Sequence, residues 1–306
     1  MRRATLLLLG ILTAAAAGCQ ESGFDESRET ARPLKVQHAG DPPRESKVPG
    51  QAERPAALTE DALGDAIALG LRPVLAAVPG GRAPNYVANR LQGVRLIEGS
   101  SPSVDLEALL AAGPDVILGS EERHDGIYRS LVKVAPTVLT PGTSGDWKRG
   151  VRLHGEALGR VNDAEALLVD WDRRVAAVRD ALGTAAATPS VSVVLVEPEG
   201  LRAAGKNSFA GTVLADVRLG RPTEQEESTE PSFAVDAGEL GSLEADVILL
   251  SVAPGAAAKA RRVQSQTAWR SLGGRVERAD PAIWWGPGGI LAGRAALADL
   301  QRILQP

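Results

Sequence analysis

Apolar positions along this chain follow two alternating rhythms. Short apolar runs at Val74–Val78, Val94–Ile97, Asp115–Gly119 and Thr137–Thr140 read as buried strands. Between them, Thr59–Leu69 and Asp105–Ala112 carry apolar residues at helical spacing. This βαβα succession predicts an α/β fold, a mostly parallel sheet with helices on both faces. Ahead of it, Leu34–His38 predicts a short edge strand turned back by Pro42-Pro43. Residues 146 to 183 contain no proline, and apolar residues from Leu153 through Trp171 to Leu182 recur at intervals of about three to five. That pattern predicts two helices, divided by an N-cap at Asn162-Asp163, the second roughly 30 Å long. Strand signals resume at Ser190.

The two halves echo one another. Asp105-Leu106-Glu107-Ala108-Leu109-Leu110 leads to Pro114-Asp115-Val116-Ile117-Leu118, and Asp236-Ala237-Gly238-Glu239-Leu240 leads at the same distance to Ala245-Asp246-Val247-Ile248-Leu249. In each half an aspartate placed to cap a helix precedes an aspartate that opens a strand. The expected organisation is a first lobe over 34–145, a helical linker over 146–185 and a second lobe over 186–306.

The N-terminal segment changes the picture of where such a body resides. Met1-Arg2-Arg3 is followed by an uncharged run, residues 4–18, too short to span a bilayer and of the length of a secretory signal. Ala16-Ala17-Gly18 then precedes Cys19, the chain's single cysteine. Residues 1–18 resemble a bacterial lipoprotein signal, which implies that Cys19 is acylated, as by palmitate. The protein would then be held on the extracytoplasmic face of the bacterial cell membrane. Residues 19–33 read as a flexible tether.

Composition narrows the partners. Thirty-eight acidic against 34 basic residues give a formal net charge of −4, and loss of Arg2 and Arg3 with the leader makes the remainder more acidic. With no basic block there is no electrostatic reason to bind nucleic acid. With Cys19 lipidated no cysteine is left for a disulfide, so the fold rests on its 44% apolar residues.

Few catalytic chemistries fit. His38, His124 and His154 fall in no metal-ligand spacing, and neither HExxH nor GxSxG occurs. Gly200 to Lys206 fits the first seven positions of a phosphate-binding loop, but Asn207 stands where a hydroxyl must hold magnesium. The reading is a binding protein, not an enzyme, with no catalytic residue, metal or cofactor. Its ligand is expected in the cleft between the lobes.

The order and spacing of several motifs then resemble one family. They are the lipoprotein signal, Pro114–Gly119, Lys133-Val134-Ala135-Pro136-Thr137-Val138, the long mid-chain helix, Asn207–Leu214, Ala245–Leu250 and the C-terminal Ala282–Leu304. Together they are similar to the iron-siderophore substrate-binding proteins of ABC transporters, a family that also includes cobalamin and haem receptors. The resemblance implies two Rossmann-like lobes, each with a central sheet, joined by a single long rigid α-helix. It implies a monomer that captures a ferric siderophore and delivers it to an ABC transporter permease. Glu107 on the first lobe, and Glu239 beside Gly238 on the second, are the expected docking carboxylates. A ferric chelate with its coordination sphere filled calls for aromatic faces and guanidinium donors. Trp147, Arg123, Arg202, Trp284 and Trp285 are the expected ligand-binding residues. Trp284 matches the family's ligand-contacting tryptophan; in an extended segment Trp285 would point the other way and pack beneath it. A cobalamin or haem receptor of the same fold, or a degenerate scaffold lipoprotein outside transport, remains open as an alternative.

Overall fold

The computed structural model describes residues 32–304 except 100–103, 143 and 184–188. The leader, Cys19 and most of the tether therefore lie outside the described residues.

Strand β1 (Leu34–His38) and strand β2 (Arg44–Val48) form the expected antiparallel hairpin, with Leu34 opposite Val48 and His38 opposite Arg44. Alternation turns Val36, His38, Ser46 and Val48 inward. The first sheet is parallel throughout. Its strands β3 (Pro55–Ala57), β4 (Leu75–Val78), β5 (Arg95–Glu98), β6 (Val116–Ser120) and β7 (Thr137–Thr140) lie in the order β5-β4-β3-β6-β7. Helix α1 (Glu60–Ala68) connects β3 to β4, and helix α2 (Leu106–Ala112) connects β5 to β6. The Thr59 hydroxyl caps α1 by accepting from the Ala62 amide, and the Asp105 carboxylate caps α2 by accepting from that of Ala108. Helices α3 (Glu121–His124) and α4 (Tyr128–Leu131) lie between β6 and β7. β4, β6 and β7 are buried along their whole length, as strands covered on both faces must be. Chain order reverses between β3 and β6, so the connections leaving these two strands splay apart and open a crevice at their C-terminal ends.

Helix α5 (Trp147–Leu158) and helix α6 (Val161–Leu182) link the first sheet to the second. The second comprises β8 (Val191–Val196), β9 (Leu201–Ala204), β10 (Ser232–Val235), β11 (Val247–Val252) and β12 (Arg275–Arg278), in the order β10-β9-β8-β11-β12. β8, β11 and β12 run parallel, and β9 is antiparallel to both its neighbours. Around this sheet lie α7 (Phe209–Val217), α8 (Thr223–Glu227), α9 (Ala257–Ser265), α10 (Thr267–Arg270) and α11 (Pro281–Trp284). The last helix, α12 (Ile290–Leu304), returns to pack on α6 and α1. No helix among the described residues is long and apolar enough to cross a membrane.

Two local expectations are corrected. The α5–α6 break is made by Gly159 at φ +67°, not by a cap at Asn162-Asp163, and α6 begins at Val161 without a side-chain cap. In the second copy of the internal echo, Asp236 caps no helix. Leu240–Leu243 forms only a 3₁₀ turn, since Gly238 is a poor helix former. Within the Gly200–Lys206 near-motif, the middle residues are strand β9, whose backbone is paired with its neighbours instead of cradling a phosphate.

α6 buries Ala164, Leu168, Trp171, Val175 and Val178, three or four residues apart, so its 22 residues present one apolar stripe over roughly 33 Å. The tie that draws α1, α5 and α12 together is polar. Asp65 on α1 is 1% exposed and His154 on α5 is fully buried, with Nδ1 and Oδ2 2.8 Å apart. The other Asp65 oxygen accepts from the Ile290 amide at the start of α12, at 2.8 Å. Burial pulls the His154 imidazole down, but the hydrogen bond to Asp65 and the charges of Asp65 and Asp61 outweigh it, leaving its pKa above the ordinary 6.5.

Two predictions follow from these contacts. Because the folded His154 pKa is raised, its contribution to stability is complete below pH 6.5 and is lost as pH rises through the folded value. Burial also raises the pKa of Asp65, which adds a loss of the same sign as pH rises, whereas it lowers the pKa of His38 and of His124, and these two act with the opposite sign below 6.5. Denaturant unfolding above pH 6.5 should therefore show stability falling more steeply in the wild type than in His154→Gln. Equal slopes would remove the pair's proton from the account. At the helix break, a Cβ on Gly159 would lie 2.1 Å from the Gly50 carbonyl oxygen, whereas one on Gly70 at φ +83° meets nothing within 4 Å. Gly70→Ala should cost about 1–2 kcal/mol for its backbone alone. Gly159→Ala should cost distinctly more in the same assay.

Candidate functional site

A cleft of about 490 Å³ opens where the C-terminal edge of the first sheet meets the second lobe. The first lobe contributes Thr59 just after β3, Asp61 on α1, Ser120 at the end of β6 and Thr140 at the end of β7. These positions flank the reversal of strand order, where the topology opens its crevice. α3 adds Glu122 and Arg123, and Asp146 and Trp147 enter from the start of α5. On the second lobe the wall consists of Ser208 and Phe209 at the start of α7 and Pro231-Ser232 at the start of β10. The segment Trp284–Pro287, running from the end of α11 towards α12, completes it.

Trp147 lines the cleft but is only 4% exposed. Its ring meets Trp171 edge-on, with centroids 4.9 Å apart at 85°, and Phe209 at 5.8 Å and 72°. Its indole N–H donates to Thr212 Oγ1 at 3.2 Å, and that of Trp171 donates to Asp216 Oδ2 at 2.8 Å. Both acceptors belong to α7, so this aromatic cluster pins α5 and α6 to the second lobe. Gly288, at φ +96°, lies so close that a Cβ there would stand 2.6 Å from the Phe209 ring.

The tryptophan pair is accessible in the reverse sense to that expected. Trp284 is 1% exposed, and its Nε1 donates to Asp299 Oδ2 on α12 at 3.1 Å. Trp285 is half-buried, and its buried Nε1 has no hydrogen-bond partner among the described residues. The reason is local: Trp284 ends helix α11 instead of lying in an extended segment, so the alternation of a strand does not apply.

Arg123 lies in α3 and lines the cleft, with Nη1 donating to Glu60 Oε2 at 2.9 Å. Arg202 does not sit in a loop after β8. The chain turns back at Glu197–Gly200, which places Arg202 within β9 and outside the cleft lining. Its guanidinium donates to the Ser232 hydroxyl and to the carbonyl of the same residue, at 2.7 and 3.0 Å. Trp171 and Trp269 are buried in separate core clusters, the first as its place on the apolar stripe implied. Glu107, in the first turn of α2, and Glu239, in the loop after β10, are both exposed.

Several lining residues escaped the sequence reading. Ser120 and Thr140 are strand-terminal hydroxyls that the ends of the apolar runs at β6 and β7 point to. Asp61 carried no signal beyond its place in the first turn of α1. The site offers stacking faces, hydroxyls, carboxylates and one guanidinium. Although His124 adjoins Ser120, its Nδ1 accepts from the Ser120 backbone amide at 3.1 Å, and no hydrogen bond joins it to the hydroxyl. The groups assembled here are suited to holding an organic ligand.

Known proteins share this architecture. The Periplasmic binding protein family matches residues 56–273. A probable siderophore-binding lipoprotein of Bacillus subtilis (strain 168), YfiY, is 26% identical over 313 residues, covering 97% of this chain and 95% of the relative. The achromobactin-binding periplasmic protein of Dickeya dadantii (strain 3937) is 25% identical over 264 residues, covering 82% and 86%. Among solved structures, Staphylococcus aureus SirA complexed with staphyloferrin B superposes with a TM-score of 0.79 at 25% identity, over 89% of this chain and 98% of that one. With the two lobes, the connecting helix and most of its length matched, the chain belongs to the periplasmic binding protein family, a family of substrate-binding proteins and not of enzymes.

Proposed function

We propose that this protein is the membrane-anchored receptor of an ABC importer, capturing a ferric siderophore in its cleft and passing it to a permease. The observation that carries the reading is the cleft itself. It is wide enough for a bulky chelate and is walled by both lobes, with the half-buried indole of Trp285 among the strand-end hydroxyls Ser120 and Thr140. The names of the relatives that match over most of their length support the same ligand class. A siderophore brings its own iron ligands, so the protein needs only to grip the organic periphery by stacking and hydrogen bonding. The anchor rests on Cys19 and its leader. Docking would rest on Glu107 and Glu239, and their exposure, one on each lobe, supports a meeting with cationic side chains of a permease.

Tryptophan fluorescence titration of the purified protein should reveal tight binding of a ferric siderophore. Binding of haem or cobalamin alone would reassign the ligand, and silence across all three would favour a scaffold. Trp285→Ala should weaken binding by about tenfold while leaving the melting temperature nearly unchanged. Trp284→Ala removes a fully buried ring and should cost about 3–5 kcal/mol of stability. In whole cells, Glu107→Lys and Glu239→Lys should lower iron uptake without changing the affinity of the isolated protein. A loss of affinity would place these carboxylates in ligand binding instead.

A further inference from the structure

A second cavity lies in the second lobe and shares no lining residue with the cleft. Its volume is about 530 Å³, within the range of roughly 300–1,000 Å³ typical of small-molecule sites. Residue spacing on three elements creates it. On α9, Ala257, Ala260, Arg261 and Gln264 recur at helical intervals and turn one face to the cavity. Two of these four are alanines, so the helix leaves unfilled a space over the sheet that longer side chains would occupy. The sheet supplies Leu250 and Val252 from β11, two residues apart and therefore on one face. By the same alternation the edge strand β12 adds Val276 and Arg278, with Arg278 opposite Leu250 in the parallel register. Trp269 of α10 contributes an indole to the buried wall, whereas Val276 is 41% exposed.

The charged groups around this apolar hollow are all of one sign. Arg261 and Arg278 are exposed, and neither makes a hydrogen bond or ion pair with the described residues. No carboxylate lines the cavity among the described residues. The other face of β12 is arranged differently. There Arg275 meets Glu277 at 3.2 Å and also donates to the Ile303 carbonyl. Glu277 is the single acid within residues 257–278, so the six cations of that stretch, Lys259, Arg261, Arg262, Arg270, Arg275 and Arg278, leave a local surplus of positive charge in a chain of formal charge −4. Such a surplus draws anions. A guanidinium also offers paired N–H donors that match the two oxygens of a carboxylate.

We propose that this cavity is a ligand site separate from the cleft, and that it takes an acyl carboxylate. The aliphatic chain would lie against Leu250, Val276 and the Trp269 ring, and the carboxylate would meet Arg261 and Arg278 in solvent reach at the open side. A neutral amphiphile leaves both cations unpaired, and a short acid leaves the apolar walls empty. Affinity therefore requires both halves of the ligand.

Isothermal titration calorimetry of the purified protein with octanoate, octan-1-ol and acetate tests the proposal. Octanoate should bind at least about tenfold tighter than either of the other two. The double variant Arg261→Gln, Arg278→Gln should lower octanoate to the level of octanol. Its melting temperature and its affinity for a ferric siderophore should stay as in the wild type, because both side chains are exposed, hold no partner and lie outside the cleft. Octanoate affinity that survives the double substitution, or that only equals the affinity for octanol or acetate, overturns the site. It is equally overturned if octanoate does not bind while phosphatidylglycerol vesicles do so through the same two arginines, which would make this face a membrane contact. None of these results bears on what the cleft binds.

Discussion

A carboxylate removed from water must be met by donors, and Asp65 is met from two other helices. His154 on α5 holds one oxygen and the Ile290 amide of α12 the other, so a single side chain on α1 draws together elements far apart in sequence. Dropping either donor would leave a buried charge uncompensated, which costs several kcal/mol. This makes the arrangement specific even where its net contribution to stability is small. The consequence for the cleft is direct. With α12 fixed on α1, the glycine-rich turn before it is held against Asp61 and the Phe209 ring, and Trp285 takes its place in the wall.

The second lobe is tied in by a different force. Trp147, Trp171 and Phe209 meet edge to face, and the two indole N–H groups end on Thr212 and Asp216 of α7. α6 carries its apolar stripe along the same junction, with α12 packed on it. A cleft whose walls are joined by a helix, an aromatic cluster and a buried polar tie is largely pre-formed. Such a site loses little ordering entropy when a rigid chelate enters. Asp61, Glu122 and Arg123 stand in the same lining.

Much of this was legible in the sequence because it rests on local pattern. The apolar runs at β6 and β7, the cap at Asp105, and the stripe from Ala164 to Val178 each follow from residue spacing alone. The lobe organisation was readable from the echo around Asp115 and Asp246, although its second copy lost the helix at Gly238. What was not legible depends on long-range pairing. Nothing near Asp65 announces His154, and nothing in Trp284-Trp285 reveals that α11 is helical and buries the first ring against Asp299. Arg202 misled because a tight turn at Glu197–Gly200 pulls it into a strand.

The central claim is that the cleft between the lobes receives an iron chelate whose metal the protein itself never touches. Crystals grown with the tightest-binding ferric siderophore, measured at the iron absorption edge, test it most directly. The account predicts one anomalous peak between the strand ends at Ser120 and Thr140 and the Trp285 ring, with no protein atom at coordinating distance. An iron peak outside the cleft, or one bonded to protein side chains, would contradict it.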